Sequence, residues 1–267
     1  MVSKYEQEIS KFSKKDGILA ICVWLIYMIM GSAYVTVMSR ISVPWYLNVF
    51  IIICYCSFQA GIVFVIIRRQ KQDISSIGLH KEKIRNAIWL GLFVSLIPVL
   101  FTVVLPGIYS GFHEHLIGIL LVNFVTAFFF AAHEDVVFIG FIQTRLYGIF
   151  KTDKVAITVG AILFSLMHIP LWIIMGRFDL NNLFVDILIN SLGWILMYLV
   201  FVSVFKKYYS LAPVFILHTI ANYSFNFALT QFAFGFDFSL VRLILLVVVA
   251  CILFWQTRRR TSKESVE

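Results

Sequence analysis

Charged residues are scarce in this chain. Asp, Glu, Lys and Arg make up 13% of the 267 residues, against about 25% in a typical soluble domain, while 61% of the residues are hydrophobic. This composition excludes a soluble domain and indicates an integral membrane protein. The net charge of +8 would favour nucleic acid as a partner of a soluble protein. Here the basic residues lie between apolar runs, so we expect a lipid bilayer and no nucleic acid.

Cysteine is also sparse, and no two cysteines form a C-x-x-C pair. The four cysteines, Cys22, Cys54, Cys56 and Cys251, all lie inside apolar runs. This pattern excludes a zinc knot and an extracellular disulfide framework, and it indicates small apolar packing residues. The chain also lacks internal repeats and low-complexity segments.

Apolar runs long enough to cross a bilayer, about 20 residues each, recur eight times. They cover residues 17–38, 44–67, 87–105, 116–150, 155–175, 183–205, 211–234 and 240–255. We therefore predict an all-α polytopic membrane bundle of about eight transmembrane helices over residues 17–257. A polar segment, residues 1–16, precedes this bundle, and a basic tail, residues 258–267, follows it. The first segment lacks the layout of a cleaved signal peptide, so we expect the first span to be retained.

The distribution of Lys and Arg predicts the orientation of the bundle. If the sides alternate from a cytoplasmic N-terminus, 19 basic residues lie inside and 3 lie outside (Arg40, Arg177 and Arg242), which accounts for all 22. The positive-inside rule then favours cytoplasmic placement of both termini, and we expect a bacterial plasma membrane. The loop at residues 68–85 holds six of these basic residues and is expected to lie on the membrane surface.

Three consecutive ionisable residues, His133, Glu134 and Asp135, interrupt the fourth apolar run. Ionisable groups at membrane depth are costly, and the default expectation for them is a functional site. The run of 35 residues would be roughly 52 Å long as a helix, against about 30 Å of hydrocarbon. We therefore expect it to tilt, to break at Gly140 or Gly148, or to project into the cytoplasm.

Two later spans supply polar partners for this stretch. His168 lies in the fifth span, and His218 and Asn222 lie four residues apart on one face of the seventh. With alternating topology, Glu134 and these three residues reach a similar depth in the inner half of the bilayer. A lone intramembrane His or Asn is usually an interhelical hydrogen-bonding group. The two adjacent acids favour one convergent site instead.

In this order the motifs resemble those of the CAAX-type prenyl endopeptidases and bacteriocin-processing intramembrane proteases, the Abi or CPBP family. That family carries two adjacent glutamates with an arginine four residues after the second, then Phe-x-x-x-His, then His-x-x-x-Asn. The corresponding positions here are Glu134 and Asp135 with Ile139, then residues 164–168, then residues 218–222. The resemblance spans about half of the chain.

The resemblance implies an endopeptidase acting on a membrane-associated or prenylated peptide. Glu134 would activate water, His168 would orient that water or bind a metal, and His218 and Asn222 would stabilise the oxyanion. Asp135 would support Glu134. A divalent ion such as zinc is an open question, with Glu134, His168 and His218 as candidate ligands, because the pattern differs from the H-E-x-x-H zinc motif.

Two departures from the family pattern keep alternatives open. Asp135 replaces the second glutamate and Ile139 replaces the arginine, so the acid loses its expected partner and must be protonated or find another donor. A non-catalytic member of the same fold, acting in bacteriocin immunity or as a membrane scaffold, is therefore a second hypothesis. A proton-coupled transporter or channel is a third, although the chain lacks the repeats and paired broken helices of such folds.

Overall fold

The computed structural model describes residues 3–80, 84–99, 116–176 and 181–223, and the regular elements within them are all helical. The helices are α1 (Lys4–Ile9), α2 (Lys14–Met38), α3 (Trp45–Arg69), α4 (Ile84–Val99), α5 (residues 116–150), α6 (Asp153–Ile174), α7 (Leu183–Tyr208) and α8 (Ala212–Tyr223). In this part of the chain, five helices are long and apolar enough to cross a membrane: α2, α3, α5, α6 and α7. The predicted all-α polytopic membrane fold is confirmed.

The predicted spans match the helices in order. Helices α2 to α8 correspond to the first seven predicted spans, although α4 has 16 residues and α8 has 12 within the described ranges. The eighth predicted span, residues 240–255, and the basic tail lie outside the described residues. The total of eight spans therefore stays a prediction.

Helix α5 forms the centre of the bundle and changes its winding near the middle. It is α-helical over Leu116–Glu134, π-helical over Asp135–Ile142 and α-helical again over Gln143–Phe150. All residues of the π-helical section are buried, and α5 packs against α2, α3, α6 and α8. The predicted break at Gly140 or Gly148 is therefore a widening of the helix around Gly140, and the helix continues through Gly148.

Two glycines of α5 let other backbone segments approach closely. A Cβ atom on Gly148 would lie 2.1 Å from the carbonyl oxygen of Ser13, and one on Gly140 would lie 2.9 Å from that of Ile77. The first contact seats the start of α2, which begins with a capping box between Ser13 and Asp16. The second seats the 3₁₀ turn Ile74–Ile77 against the π-helical section.

The turn between α3 and α4 is anchored in the protein. Ile77 is fully buried, Gly78 has a left-handed φ of 78°, and the Gly78 carbonyl accepts a hydrogen bond of 3.1 Å from Leu211 N. The sequence predicted that this part of the loop lies on the membrane surface. That statement stays a prediction, and the structure adds that the apolar Ile77 and the small Gly78 allow the turn to pack under α5.

Arg145 ties the same turn to α5. Its side chain is fully buried, with the guanidinium 4.4 Å from the ring centre of Phe12 and 4.1 Å from that of Phe141. Nη2 donates to Gln72 Oε1 at 2.5 Å and to Ser76 Oγ at 3.3 Å. The sequence counted Arg145 on the cytoplasmic side, and the structure adds that aromatic rings and loop oxygens compensate its burial.

Candidate active site

Two adjacent carboxylates lie at the junction where α5 passes from α-helical to π-helical winding. Glu134 ends the first section and Asp135 begins the second. The Asp135 side chain is 1% exposed and that of Glu134 is 15% exposed. Functional sites often adjoin π-helical turns, which re-aim side chains relative to a regular helix.

His218 of α8 contacts both carboxylates. Its Nδ1–H donates to Asp135 Oδ1 at 2.9 Å, and its Nε2 lies 3.7 Å from Glu134 Oε2. The ring is 1% exposed and packs against Phe201 of α7, with 4.6 Å between ring centres. Asp135 has thus found a donor in place of the missing arginine, although its Oδ2 has no hydrogen-bond partner within the described ranges.

His168 of α6 is held by its own helix and by aromatic rings. Nδ1–H donates to the Phe164 carbonyl at 2.7 Å, and the ring stacks on Trp194 with 4.7 Å between centres. Phe164 contacts Phe138 of α5, with 5.2 Å between ring centres. Helices α5 and α6 are antiparallel across a short turn. His168, four residues after Phe164, therefore lies at the level of Glu134, four residues before Phe138.

Asn222 lies one helical turn after His218 on α8 and is half-buried. Its position continues the face of α8 that carries His218. His218 thus contacts both Glu134 and Asp135. His168 lies on the neighbouring helix α6, and Asn222 lies one helical turn after His218 on α8.

His133 is also a buried member of this region. A backbone carbonyl only accepts, so Nδ1–H donates to Phe129 O at 2.9 Å, and the Tyr27 hydroxyl donates to Nε2 at 2.7 Å. The Tyr27 ring is stacked on the imidazole with 5.6 Å between centres. Sequence reasoning missed Tyr27, because a tyrosine inside an apolar span has no spacing that sets it apart.

A cavity of about 240 Å³ lies between α3 and α5. Most of its lining is apolar, with Ala60 and Phe64 on one side and Phe128 and Val136 on the other, and His133 lines it next to Glu134. Apolar cavities with a few polar groups are the usual form of small-ligand sites. This one is lined by His133 and Val136, which flank the two carboxylates in the sequence.

The described His, Cys, Asp and Glu side chains do not form a metal centre. Among the residues that the structure describes, no three His, Cys, Asp or Glu side chains lie close enough together to hold a metal ion. The candidate ligands Glu134, His168 and His218 do not form such a group.

Residues 114–224 match the family model described as type II CAAX prenyl endopeptidase Rce1-like. This region, about two fifths of the chain, is similar to that family. The resemblance predicted from the three motifs is thereby confirmed, and the matched region contains Glu134, His168, His218 and Asn222. No curated protein and no solved structure matches the chain.

The matched region departs from the family pattern at Ile139. Ile139 is 1% exposed and belongs to the hydrophobic core of the π-helical section. The arginine is therefore replaced by a well-packed apolar residue, and its partner Asp135 is paired with His218 instead.

Proposed function

We propose that the chain is an intramembrane endopeptidase of the CAAX-protease type, in which Glu134 activates a water molecule against a peptide bond. The observation that carries the proposal is the position of His218 between Asp135 and Glu134, at 2.9 Å and 3.7 Å. An interhelical hydrogen bond alone would not need two adjacent acids that share one buried histidine. The Rce1-like match supports the same chemistry.

The proposed reaction uses the chain's own groups. Glu134 takes a proton from water, and the hydroxide adds to the carbonyl carbon of the scissile peptide. The Asn222 amide N–H stabilises the negative oxygen that forms, and His218 does so as an imidazolium, with Nδ1–H on Asp135 and Nε2–H directed at that oxygen. Glu134 then gives its proton to the departing amine as the carbon–nitrogen bond breaks, which leaves a carboxylic acid and an amine.

The two remaining side chains hold these groups in place. Asp135 accepts from His218 Nδ1–H and so keeps Nε2 on the side of Glu134. His168 donates Nδ1–H to Phe164 O, so the neutral ring carries its lone pair on Nε2, where it orients the attacking water. The apolar cavity beside His133 would take a lipid chain attached to the substrate. We propose a membrane-associated or prenylated peptide as that substrate.

Glu134→Gln tests the proposal. The amide cannot accept the proton of water, so we expect hydrolysis of a farnesylated, fluorogenic CAAX-type peptide in proteoliposomes to fall by about 10²- to 10⁴-fold. Glu8→Gln on α1 is the matched control and should keep wild-type activity, since Glu8 lies outside the candidate site and pairs with Lys11 of its own segment at 2.7 Å. Unchanged hydrolysis by folded Glu134→Gln would dispose of the proposal and would favour a non-catalytic role.

A further inference from the structure

Helix α3 carries two polar side chains that the proposed chemistry leaves unused. Gln59 is 2% exposed and belongs to the buried stripe of α3 that includes Cys56 and Val63. Tyr55 precedes Gln59 by one turn and is half-buried. Gln59 Nε2 donates to the Tyr55 hydroxyl oxygen at 2.7 Å. The stripe packs against α5, so the pair is on the side of α3 that faces the carboxylates.

Tyr55 and Gln59 retain hydrogen-bonding groups beyond the bond between them. Gln59 Oε1 is buried and has no hydrogen-bond partner among the described residues, which is unusual for an amide oxygen in a folded protein. The Tyr55 oxygen accepts from Gln59, so the hydroxyl retains its own proton for another acceptor. If the amide is turned over, Tyr55 donates to Oε1, and both amide N–H groups and the phenol oxygen are left. Either orientation offers at least one donor and one acceptor.

The pair adjoins the candidate active site. The edge of the Tyr55 ring meets the His133 ring with 6.0 Å between centres, and its face stacks on Tyr34 with 4.1 Å between centres. Cys56, between the two polar residues on α3, lines the cavity together with His133. Gly31 of α2 faces the Tyr55 hydroxyl, and a Cβ atom there would lie 3.4 Å from it. Leu171 Cδ2 lies 3.4 Å from the same point, so the hydroxyl faces the boundary between α2 and α6.

We propose that Tyr55 and Gln59 form a backbone-binding subsite that holds one peptide group of an extended peptide beside Glu134. A peptide group presents one N–H and one C=O, which complement the unused acceptor and donor of the pair. Such a subsite reads the main chain and ignores the side chains, so it suits substrates of varied sequence. The inference rests on the proposed peptidase function, because the occupant is the substrate of that reaction.

Kinetics on two α3 variants test the subsite. The probe is a fluorogenic peptide ending in a farnesylated cysteine and three further residues, assayed in proteoliposomes. Gln59→Leu and Tyr55→Phe should each raise KM by about threefold to tenfold, the value of one or two hydrogen bonds, with kcat within about twofold of wild type. Tyr46→Phe on the same helix is the control and should leave both constants unchanged, because Tyr46 is 62% exposed. Unchanged KM in both variants would overturn the subsite.

A series of peptides with single amide-to-ester replacements locates the contact. The ester that removes the N–H bonded by the pair should raise KM in the wild type and have no further effect in Gln59→Leu. If every ester acts equally on the wild type and the variant, the subsite is wrong. Thermal unfolding of Gln59→Leu supplies a check on folding, because replacing an unsatisfied amide with an apolar side chain should preserve or raise Tm.

The same peptides separate the subsite from the peptidase. If wild-type protein hydrolyses none of them, the proposed function fails, and binding is then measured by fluorescence anisotropy of a labelled farnesylated peptide. Binding that weakens by threefold or more in Gln59→Leu would uphold the subsite without catalysis. Binding that is equal in the two proteins, or absent from both, would overturn it.

Discussion

The Asp135 carboxylate accepts a hydrogen bond from His218 on another helix. This bond changes how the replacement of the family's arginine by Ile139 is interpreted. In the pattern, a carboxylate and an arginine four residues later pair along one helix. In this chain Asp135 Oδ1 is bonded to His218 of α8, and only Oδ2 has no partner in the described part of the protein. One acceptor position therefore remains for a donor at residue 139.

Ile139→Arg should be tolerated better than an arginine at a neighbouring core position. The guanidinium would reach Asp135 Oδ2 on the same helix and form a charge-assisted hydrogen bond. Arginine at Ile142, which is fully buried, has no such acceptor in the described structure and should be left as an uncompensated buried charge. We expect Ile139→Arg to give folded protein with equal or higher peptidase activity and Ile142→Arg to give little folded protein, measured by size-exclusion yield and Tm. Equal yields of both variants would contradict this expectation.

At the scale of elements, the site depends on what holds α5 in place at its end. Beyond the π-helical section, Arg145 bonds the turn between α3 and α4, and Gly148 meets the start of α2. The neighbouring α1 adds Tyr5, whose hydroxyl donates to Asp153 Oδ1 at 2.9 Å, and Lys206 reaches the same carboxylate. Burial raises the pKa of the Tyr5 phenol well above its ordinary value, so this hydroxyl remains a donor throughout the physiological pH range. These contacts fix one end of the helix that carries both acids.

Gly148→Ala should loosen this anchorage. The new Cβ would lie 2.1 Å from Ser13 O and 2.8 Å from Ser13 C, and backbone atoms yield less readily than a flexible side chain. We expect the variant to lose about 1–3 kcal/mol of stability, typical of overpacking, and to show a lower Tm in detergent. Gly61→Ala on α3 is the matched control, because no atom lies within 4 Å of its Cβ position. It should hold or raise Tm, since alanine favours helix. A Gly148→Ala Tm equal to that of Gly61→Ala would refute the close contact.

At the scale of the whole molecule, the bundle is an integral membrane protein whose orientation rests on its basic residues. The excess of Lys and Arg on one side predicts that both termini face the cytoplasm. The start of α2 and the α3–α4 turn then lie at the inner surface, and the α2–α3 connection lies at the outer surface. The two acids, placed between these surfaces, would act on substrates entering from the inner half of the membrane.

Cysteine labelling in intact cells measures this orientation. Ser10 and Ser42 are both exposed and flank α2 on opposite sides. A membrane-impermeant maleimide should label Ser42→Cys in intact cells and Ser10→Cys only after the cells are opened. The parent protein, with its native cysteines, supplies the background signal. The reverse pattern would invert the bundle and would move the site to the outer half.

The features that sequence reasoning found are those with a period or a motif. Apolar runs located the helices, and the motif spacing nominated Glu134, His168, His218 and Asn222, whose roles stay predictions. The π-helical winding was missed because no local propensity marks it. The burial of Arg145 was missed for a related reason, since its aromatic cage brings together Phe12 and Phe141 from distant parts of the chain. Gln59 carried a usable signal that was overlooked, because an amide inside an apolar span calls for a partner.

The π-helical section determines where α5 can lose a residue during evolution. A π-helical turn contains more residues than an α-helical turn. Residues 135–142 therefore include more residues than an α-helix of the same length would need. Losing a single codon here would let the backbone relax to ordinary winding while both ends of α5 keep their neighbours. The same loss within residues 143–150 would rotate Gly148 away from Ser13. The π-helical section is therefore the part of α5 where a one-residue deletion would best preserve the membrane scaffold.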